Sequence, residues 1–503
     1  MRSLTALFIA SVCAVATAFM STGSQATGIT NTIPTDFSCS GPVHNEAISL
    51  WEHGLRNYFA DQIKDGLTVK GDVYVLYYTQ EDLQPFVEMT RRCKDHVQIA
   101  ELVAVLSPAL DSLKSLPESP ASKGWICTGG STCTAANHLL GHEVQLCSAQ
   151  FLGLLGAVAT DIVETIPENQ RSSTEKAFVS DAGSTIADQI NRWLSPDYFK
   201  WVADRLKMTP ASVVDSQSKY FFADRDLWFM TSLADLAELH QAGIRLDTAG
   251  TNSFNSLQSK RQQIAGMFDL FLTRTTLTNT SNGIRAEVDR GFWRNYSDSK
   301  YALYNTAASP VACNKDSTGH MQKSIRVESK SSYIDANVGW DISHARRLVP
   351  ALETFVRNRT ALATIFGYHN TAFDPAKLQQ AYAHQIADTI WNKDSQYPLF
   401  SNFWDGSNGW YRSGYNNGTG SCTTGDAPYG LAWSFPTGGY PQWGAFNNTI
   451  RDLGMRIFIL SNSDDPKAKA FMAKNYPQIL PSTSTTNQIW RLAMISSLVD
   501  TTI

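Results

Sequence analysis

Two stretches of the chain combine residue types able to move protons and hold negative charge. The first is Asn282-Gly283-Ile284-Arg285-Ala286-Glu287-Val288-Asp289-Arg290-Gly291, running into Phe292-Trp293-Arg294-Asn295-Tyr296-Ser297-Asp298-Ser299-Lys300-Tyr301-Ala302-Leu303-Tyr304. Asn-Gly marks a turn. Beyond it Arg285, Arg290, Arg294 and Lys300 alternate with Trp293, Tyr296, Tyr301 and Tyr304. Tyr301 and Tyr304 share a helix face. Arg294, seven positions before Tyr301, stands two turns away on a continuous helix. A phenol ordinarily ionises near about pH 10, and neighbouring cations lower that value. A tyrosine among arginines is therefore a candidate acid–base group. The second stretch is Gly339-Trp340-Asp341-Ile342-Ser343-His344-Ala345-Arg346-Arg347. Asp341 or Ser343 can cap a helix there. Helix N-termini are anion sites, so His344 and Arg347 are candidates to meet a carboxylate.

Lesser candidates lie elsewhere. Asn137-His138 is expected to open a helix, and Arg225 sits in Asp224-Arg225-Asp226. His138 and His142 are four apart with Glu143 next, but the Glu does not lie between them as in HExxH. No paired CxxC occurs, and no metal or other cofactor is expected. Trp228, Trp340, Trp404, Trp410 and Trp443 could line sugar subsites. Each candidate has a structural alternative. Tyr301 could be an interior tyrosine, Arg290 and Arg294 could pair with Asp289 or Asp298, and His344 could only cap a helix.

The string through Gly291, Arg294 and Tyr301-Ala302-Leu303 resembles the turn and helix of alginate-lyase-type polysaccharide lyases, the glucuronan- and alginate-cleaving enzymes of families such as thirty-eight and five. The match covers some 25 residues. It implies an α/α toroid and β-elimination, with Tyr301 as base and acid and Arg294 beside it. The family's paired Asn-His is missing where the helix at Asp224-Arg225-Asp226-Leu227-Trp228 begins, so its role falls to Asn137, His138, His344 or Arg225. In such chemistry the C5 proton of a uronate leaves and charge gathers on the carboxylate. Donors or cations placed there stabilise it, while a base takes the proton and an acid protonates O4. If proton and O4 leave from one face, a single tyrosine serves both; opposite faces need a second group, His344 or His138. Arg290, Trp293, Tyr304, Trp340, Arg347 and Trp404 are the further candidates for binding substrate.

The elements that must position these residues read as helical hairpins. Apolar residues recur at three- and four-residue spacing over 87–116, 136–164, 173–194, 227–246, 256–274, 343–366, 375–391 and 443–460, with a last pair at 468–476 and 486–500. The clearest strand signal, 72–79, is isolated. The stretch 400–442, rich in Gly, Ser, Asn and aromatics, reads as an ordered loop over a cleft. The expected fold is all-α: a single α/α toroid of helical hairpins with few short strands.

Composition bounds the rest. The chain has 503 residues, 43% hydrophobic and 17% charged, which excludes disorder as its main state. A net charge of −4 supplies no general field for nucleic acid. Arg2, the apolar stretch 4–19 and Ser24-Gln25-Ala26, with Ala16-Thr17-Ala18 as the alternative cleavage site, read as a signal peptide over 1–26, leaving 27–503 as the expected catalytic domain, exported to the medium or periplasm. No later run offers ~18 uninterrupted apolar residues, so no membrane span is expected. Export favours disulfides: Cys127–Cys133, Cys39–Cys93 and Cys313–Cys422 are plausible, with Cys147 left as a buried thiol. The reading is a monomeric secreted lyase acting on an anionic polyuronate. The alternatives are a glycoside hydrolase on an α/α toroid, with Asp341 and Asp405 as its carboxylates, and an exported glycan-binding protein without catalysis.

Overall fold

Helices form where apolar residues recur at helical spacing and where a cap or turn gives them a start. In a computed structural model of the chain, the described residues are 33, 35–117, 119–135, 138–213, 220–293, 310–325, 337–414 and 424–501. The chain divides into residues 1–33 and 34–503. The first unit, with the expected leader, lies outside the described residues except for Ile33.

Within the second unit, seven helices carry the architecture: α1 (Tyr74–Cys93), α2 (Gln145–Thr165), α3 (Asp224–Gln241), α4 (Leu348–Arg357), α5 (Pro375–Gln385), α6 (Asn448–Ser461) and α7 (Thr485–Ser496). Their contacts follow a cyclic order. α1 packs on α2, α2 on α3, α3 on α4 and α4 on α5. α5 runs on into the wider turn Ile386–Ile390, which meets α6. α6 packs on Tyr440–Ala445, that segment on Ser434–Thr437, the latter on α7, and α7 on α1. Further helices flank this set: Ser173–Trp193 lies against α2 and α3, Thr248–Ser259 against Ser173–Trp193, and Arg359–Phe366 against α3. Ser173–Trp193 starts on a capping box between Ser172 and Glu175.

α2 is the centre of the core. One window of it has a mean hydropathy of 1.6, long and apolar enough to cross a membrane, yet 89% of that window is buried inside the protein. Packing between α1 and α3 accounts for its composition. Two glycines let α3 approach it: a Cβ at Gly153 would lie 2.5 Å from the Trp228 ring, and one at Gly156 would lie 2.6 Å from Asp235 Oδ2.

Several expected elements take other forms. The stretch 72–79 is no strand but the entry to α1, because Tyr74, Tyr77 and Tyr78 repeat at helical spacing and Asp72 accepts the Tyr74 N–H. The run 87–116 breaks at Lys94, which turns left-handed at φ 55° and separates α1 from His96–Asp111. Helix 136–164 begins only at Gln145. The run 343–366 divides into Ile342–Ala345, α4 and Arg359–Phe366. Around Asn282-Gly283 the flanks pair as an antiparallel hairpin, Thr275–Thr280 with Gly283–Val288. The β-branched Thr run favours strand. Two more hairpins, Lys114–Leu116 with Ser119–Gly124 and Val311–Lys315 with Met321–Ile325, complete the sheets of the described residues.

Cys39–Cys93 and Cys127–Cys133 are disulfides, and such pairs point to an oxidising environment. Cys313 is also disulfide-bonded; its expected partner, Cys422, lies outside the described residues. Cys147 is free and buried, and burial pushes its thiol up to about 12.

α1 to α4 meet over a set of buried charges. Arg91 pairs with Glu88 and Glu353, and Arg357 with Glu164. Among the described residues Asp161 and Asp235 have no ion pair of their own; Asp235 Oδ1 accepts from Asn358 Nδ2 at 2.9 Å. Burial pushes both carboxyls up to about 7, against the pull of Arg91 and Arg357. A carboxyl raised above its unfolded value favours the fold fully below that value and loses the effect as pH rises through its folded value. Asp235→Asn is therefore expected to flatten the fall in melting temperature between about pH 4 and about pH 7. Equal slopes in thermal melts of variant and parent would mean that Asp235 is ionised throughout.

Candidate functional site

The segment 337–347 is fixed by its own polar groups and by a neighbouring loop. Ile342 N donates to Asn402 O at 2.9 Å, and Trp404 N to Trp340 O at 2.8 Å. Asp341, fully buried, caps the short helix that follows, accepting from Ser343 N at 2.9 Å, His344 N at 3.0 Å and Ser343 Oγ at 2.5 Å. Its other oxygen stands 2.6 Å from His344 Nδ1. Burial alone would raise the Asp341 carboxyl; the charge and hydrogen bond of His344, with Ser343, outweigh it and hold the group well below the usual carboxylate range. An ionised Asp341 accepts a hydrogen bond from Nδ1–H, so in the neutral imidazole the lone pair lies on Nε2. Nε2 has no hydrogen-bond partner among the described residues, and the His344 side chain is 20% exposed.

Two other segments meet this imidazole, and two more meet Arg347. Trp293, at the end of the 283–293 stretch, sets its ring 5.3 Å from that of His344. Tyr411 brings its hydroxyl to 3.3 Å from Nδ1 and accepts from Arg412 Nε at 2.7 Å. One turn beyond His344, Arg347 donates from Nη2 to the Tyr77 hydroxyl at 2.7 Å and lies 3.4 Å from Asp224 at the start of α3. The constellation is thus a His–Asp dyad, a buried phenol held by a guanidinium, a second anchored guanidinium and an indole edge. Chemically it offers one bare nitrogen base and fixed positive charge.

The remaining expected residues fall in different places. Tyr301, Arg294, Tyr304 and Asn137 lie outside the described residues. His344, Arg347 and Trp293 come together as described. Arg225 stands beside Asp224 and donates to Gln145 at 3.0 Å, over the Trp201 ring. Arg290, half-buried, lies 3.9 Å from Glu287. His138 opens no helix: it sits exposed in a turn at φ 58°, ahead of Gly141 at φ 83°. Glu143 is taken by Arg192 at 2.9 Å. Trp340 and Trp404 are core, not sugar platforms: both are almost wholly buried. Trp404 Nε1 donates to Ala286 O at 2.9 Å and its ring packs on Tyr382 and Tyr440. Trp340 packs behind Trp293 and against Phe222. His344 is capped rather than capping; Asp341 does that work.

Tyr77, Asp224, Tyr411 and Arg412 were not among the residues expected from sequence. Tyr77 was hidden by the strand reading of 72–79, although its spacing from Tyr74 and Tyr78 is helical. Tyr411 and Arg412 belong to the loop-rich stretch 400–442, whose cleft-side position was the available signal. Among the described residues, His44, Cys93 and Asp95 are near enough to share a metal, but Cys93 is joined to Cys39. His44 and Asp95 instead pair at 2.8 Å. No family model, curated protein or solved structure matches this chain.

Asp341→Asn is expected to cost about 2 kcal/mol of stability at neutral pH, the scale of a weakened cap and a lost charge-assisted bond. A depressed folded pKa contributes stability above the unfolded value and loses it as pH falls through the folded one. Denaturant melts at about pH 7 and about pH 3 should therefore show the gap between parent and variant narrowing in acid; a constant gap would mean that Asp341 stabilises without its charge.

Proposed function

We propose that this chain is an exported polysaccharide lyase that cleaves a polyuronate by β-elimination. The observation that carries the reading is the Asp341–His344 dyad, with its bare Nε2 beside Trp293 and one turn from Arg347. Such a nitrogen suits a reaction that begins by removing a proton from carbon, and the guanidinium suits the charge that then gathers on the uronate carboxylate. The resemblance around Arg294 and Tyr301 supplies the second proton-transfer group, with Tyr301 donating to or accepting from the sugar and His344 serving the opposite face. Arg225 extends the positive lining. The cyclic order of helix contacts supports an α/α toroid, whose centre would hold the chain of sugars. The disulfides and the apolar leader support export to the medium or periplasm, and the protein is taken to act as a monomer without a cofactor.

A screen of glucuronan, alginate and pectic polymers, followed by the ultraviolet absorbance of the new C4–C5 double bond, tests this. His344→Gln should lower turnover at least about a hundredfold while substrate still binds, and Tyr301→Phe should nearly abolish it. Release of reducing ends without absorbance would make the protein a hydrolase. Binding without any cleavage would make it a glycan-binding protein.

A further inference from the structure

α1 ends at a disulfide that has two more metal-binding groups beside it. Cys93, the last residue of α1, is joined to Cys39. Lys94 turns left-handed, and Asp95 N donates back to Thr90 O at 2.9 Å, so the chain folds over the end of the helix. On the other side, Gly41 N donates to Ser38 O at 2.9 Å, a tight turn that sets His44 in the first turn of the helix Pro42–Leu50. His44 Nε2 then lies 2.8 Å from Asp95 Oδ2. One ligand atom each of His44, Cys93 and Asp95 lies within 4.8 Å of the other two, and the bond to Cys93 brings the Cys39 sulfur to the same place.

The local structure leaves these groups to one another. Asp95 stands at the N-cap of His96–Asp111, yet its side chain makes no cap bond. An aspartate there ordinarily accepts from the first turn of its helix; this one faces the imidazole instead. Cys39 and Cys93 are both half-buried, whereas Cys127 and Cys133 are buried. A small reductant therefore has readier access to the first disulfide than to the second.

Two thiolates, an imidazole and a carboxylate are the ligand types of zinc, and four of them complete its tetrahedron. Magnesium and calcium prefer oxygen alone. Metal–ligand lengths of about 2.0–2.3 Å set the ligand atoms about 3.3–3.8 Å apart. Gathering them from within 4.8 Å takes side-chain shifts of about 1 Å. The ligands come in two pairs, Cys39 with His44 and Cys93 with Asp95, so a metal would join the same two segments as the disulfide.

We propose that Cys39, His44, Cys93 and Asp95 form a tetrahedral site for a zinc-like divalent cation once the disulfide is reduced, and that metal and disulfide are alternative staples of one seam. In the exchange a dithiol reductant closes to its own disulfide and passes two electrons and two protons to Cys39 and Cys93. The cation then displaces both protons to solvent and is held by two thiolates, the neutral imidazole and the Asp95 carboxylate. The seam matters to the ring of helices. Pro42–Leu50 packs on α7 and α7 on α1, while Arg92 donates to Ser496 O at 2.7 Å and Asp500 N to Phe37 O at 2.7 Å. A staple between 39–44 and 93–95 thus holds the N-terminal segment where the last helix meets the first. In the oxidised, exported protein the disulfide fills this role; the metal takes it over where a dithiol opens the bond. The inference is independent of the lyase reading.

Cobalt(II) tests it, because thiolate ligation gives a near-ultraviolet charge-transfer band and a tetrahedral field gives strong visible bands. The full chain would be titrated oxidised, and again after reduction with dithiothreitol and desalting under nitrogen. The expected result is one cobalt per reduced chain with both bands, none in the oxidised chain, and displacement by zinc. His44→Ala and Asp95→Asn should each weaken cobalt binding at least about tenfold. Zinc should raise the melting temperature of the reduced parent and not that of the reduced variants. Melts of the oxidised variants show that they fold; if His44→Ala does not, Asp95→Asn decides. Absence of the bands in the reduced parent would overturn the proposal. Bands that both variants leave unchanged would overturn it too, since the cobalt would then sit on other freed thiols. Equal binding by the oxidised chain would overturn the exchange of metal for disulfide.

Discussion

The site depends on one buried carboxylate. Asp341 is wholly enclosed, and an isolated ionised carboxylate in such a place would be strongly disfavoured. It stays ionised because two backbone N–H groups, the Ser343 hydroxyl and the His344 ring all donate to it. The same bonds start the helix, place the imidazole and choose its tautomer. Backbone pairing with 402–404 then ties this turn to the loop that brings in Tyr411. A side chain with fewer acceptors could cap the helix or hold the ring, but not both.

The surrounding helices follow a related logic. Where α1 to α4 meet, Arg91 and Arg357 are shared among Glu88, Glu164 and Glu353, and burial raises the Asp161 and Asp235 carboxyls. Charges buried in this way contribute little net stability but are costly to mispair. They favour one mutual arrangement of the four helices, and those helices carry Tyr77, Asp224 and the approach to Arg347. The geometry at His344 is thus held from both sides, by the loop above and by matched charge between the helices below.

Much of this was legible in the sequence because helical periodicity is a strong signal. The spans 173–194 and 227–246 read within a few residues of Ser173–Trp193 and α3. Breaks inside long periodic runs were not legible. Lys94 adopts a left-handed conformation that its residue type does not announce. The hairpin at 275–288 was half visible, since Asn282-Gly283 marked the turn while its threonine flank went unread as strand. In the site, Asp341, His344, Arg347 and Trp293 stood out by type and spacing. Trp340 and Trp404 misled because indoles serve cores and sugar platforms equally, and only burial separates the two uses. Tyr77 meets Arg347, and Tyr411 meets His344, across 270 and 67 positions of chain, a distance over which no local pattern carries information.

The two phenols of the site, Tyr77 at Arg347 and Tyr411 at His344, differ from the one expected to act as base. Burial is the first influence on both Tyr77 and Tyr411, and it raises them; Arg347 beside Tyr77 and Arg412 beside Tyr411 oppose that shift without cancelling it. A guanidinium near a phenol therefore does not by itself make a base, because enclosure in low dielectric can outweigh it. Both tyrosines remain protonated at neutral pH and serve as polar struts: Tyr77 accepts from Arg347 and Tyr411 from Arg412. The Tyr411 hydroxyl, at 3.3 Å, is not the primary partner of His344 Nδ1, which donates to Asp341 at 2.6 Å. The nitrogen able to accept a proton is then Nε2. A tyrosine that shares this chemistry must keep its hydroxyl in water and within reach of a cation, a requirement that Tyr77 and Tyr411 both fail.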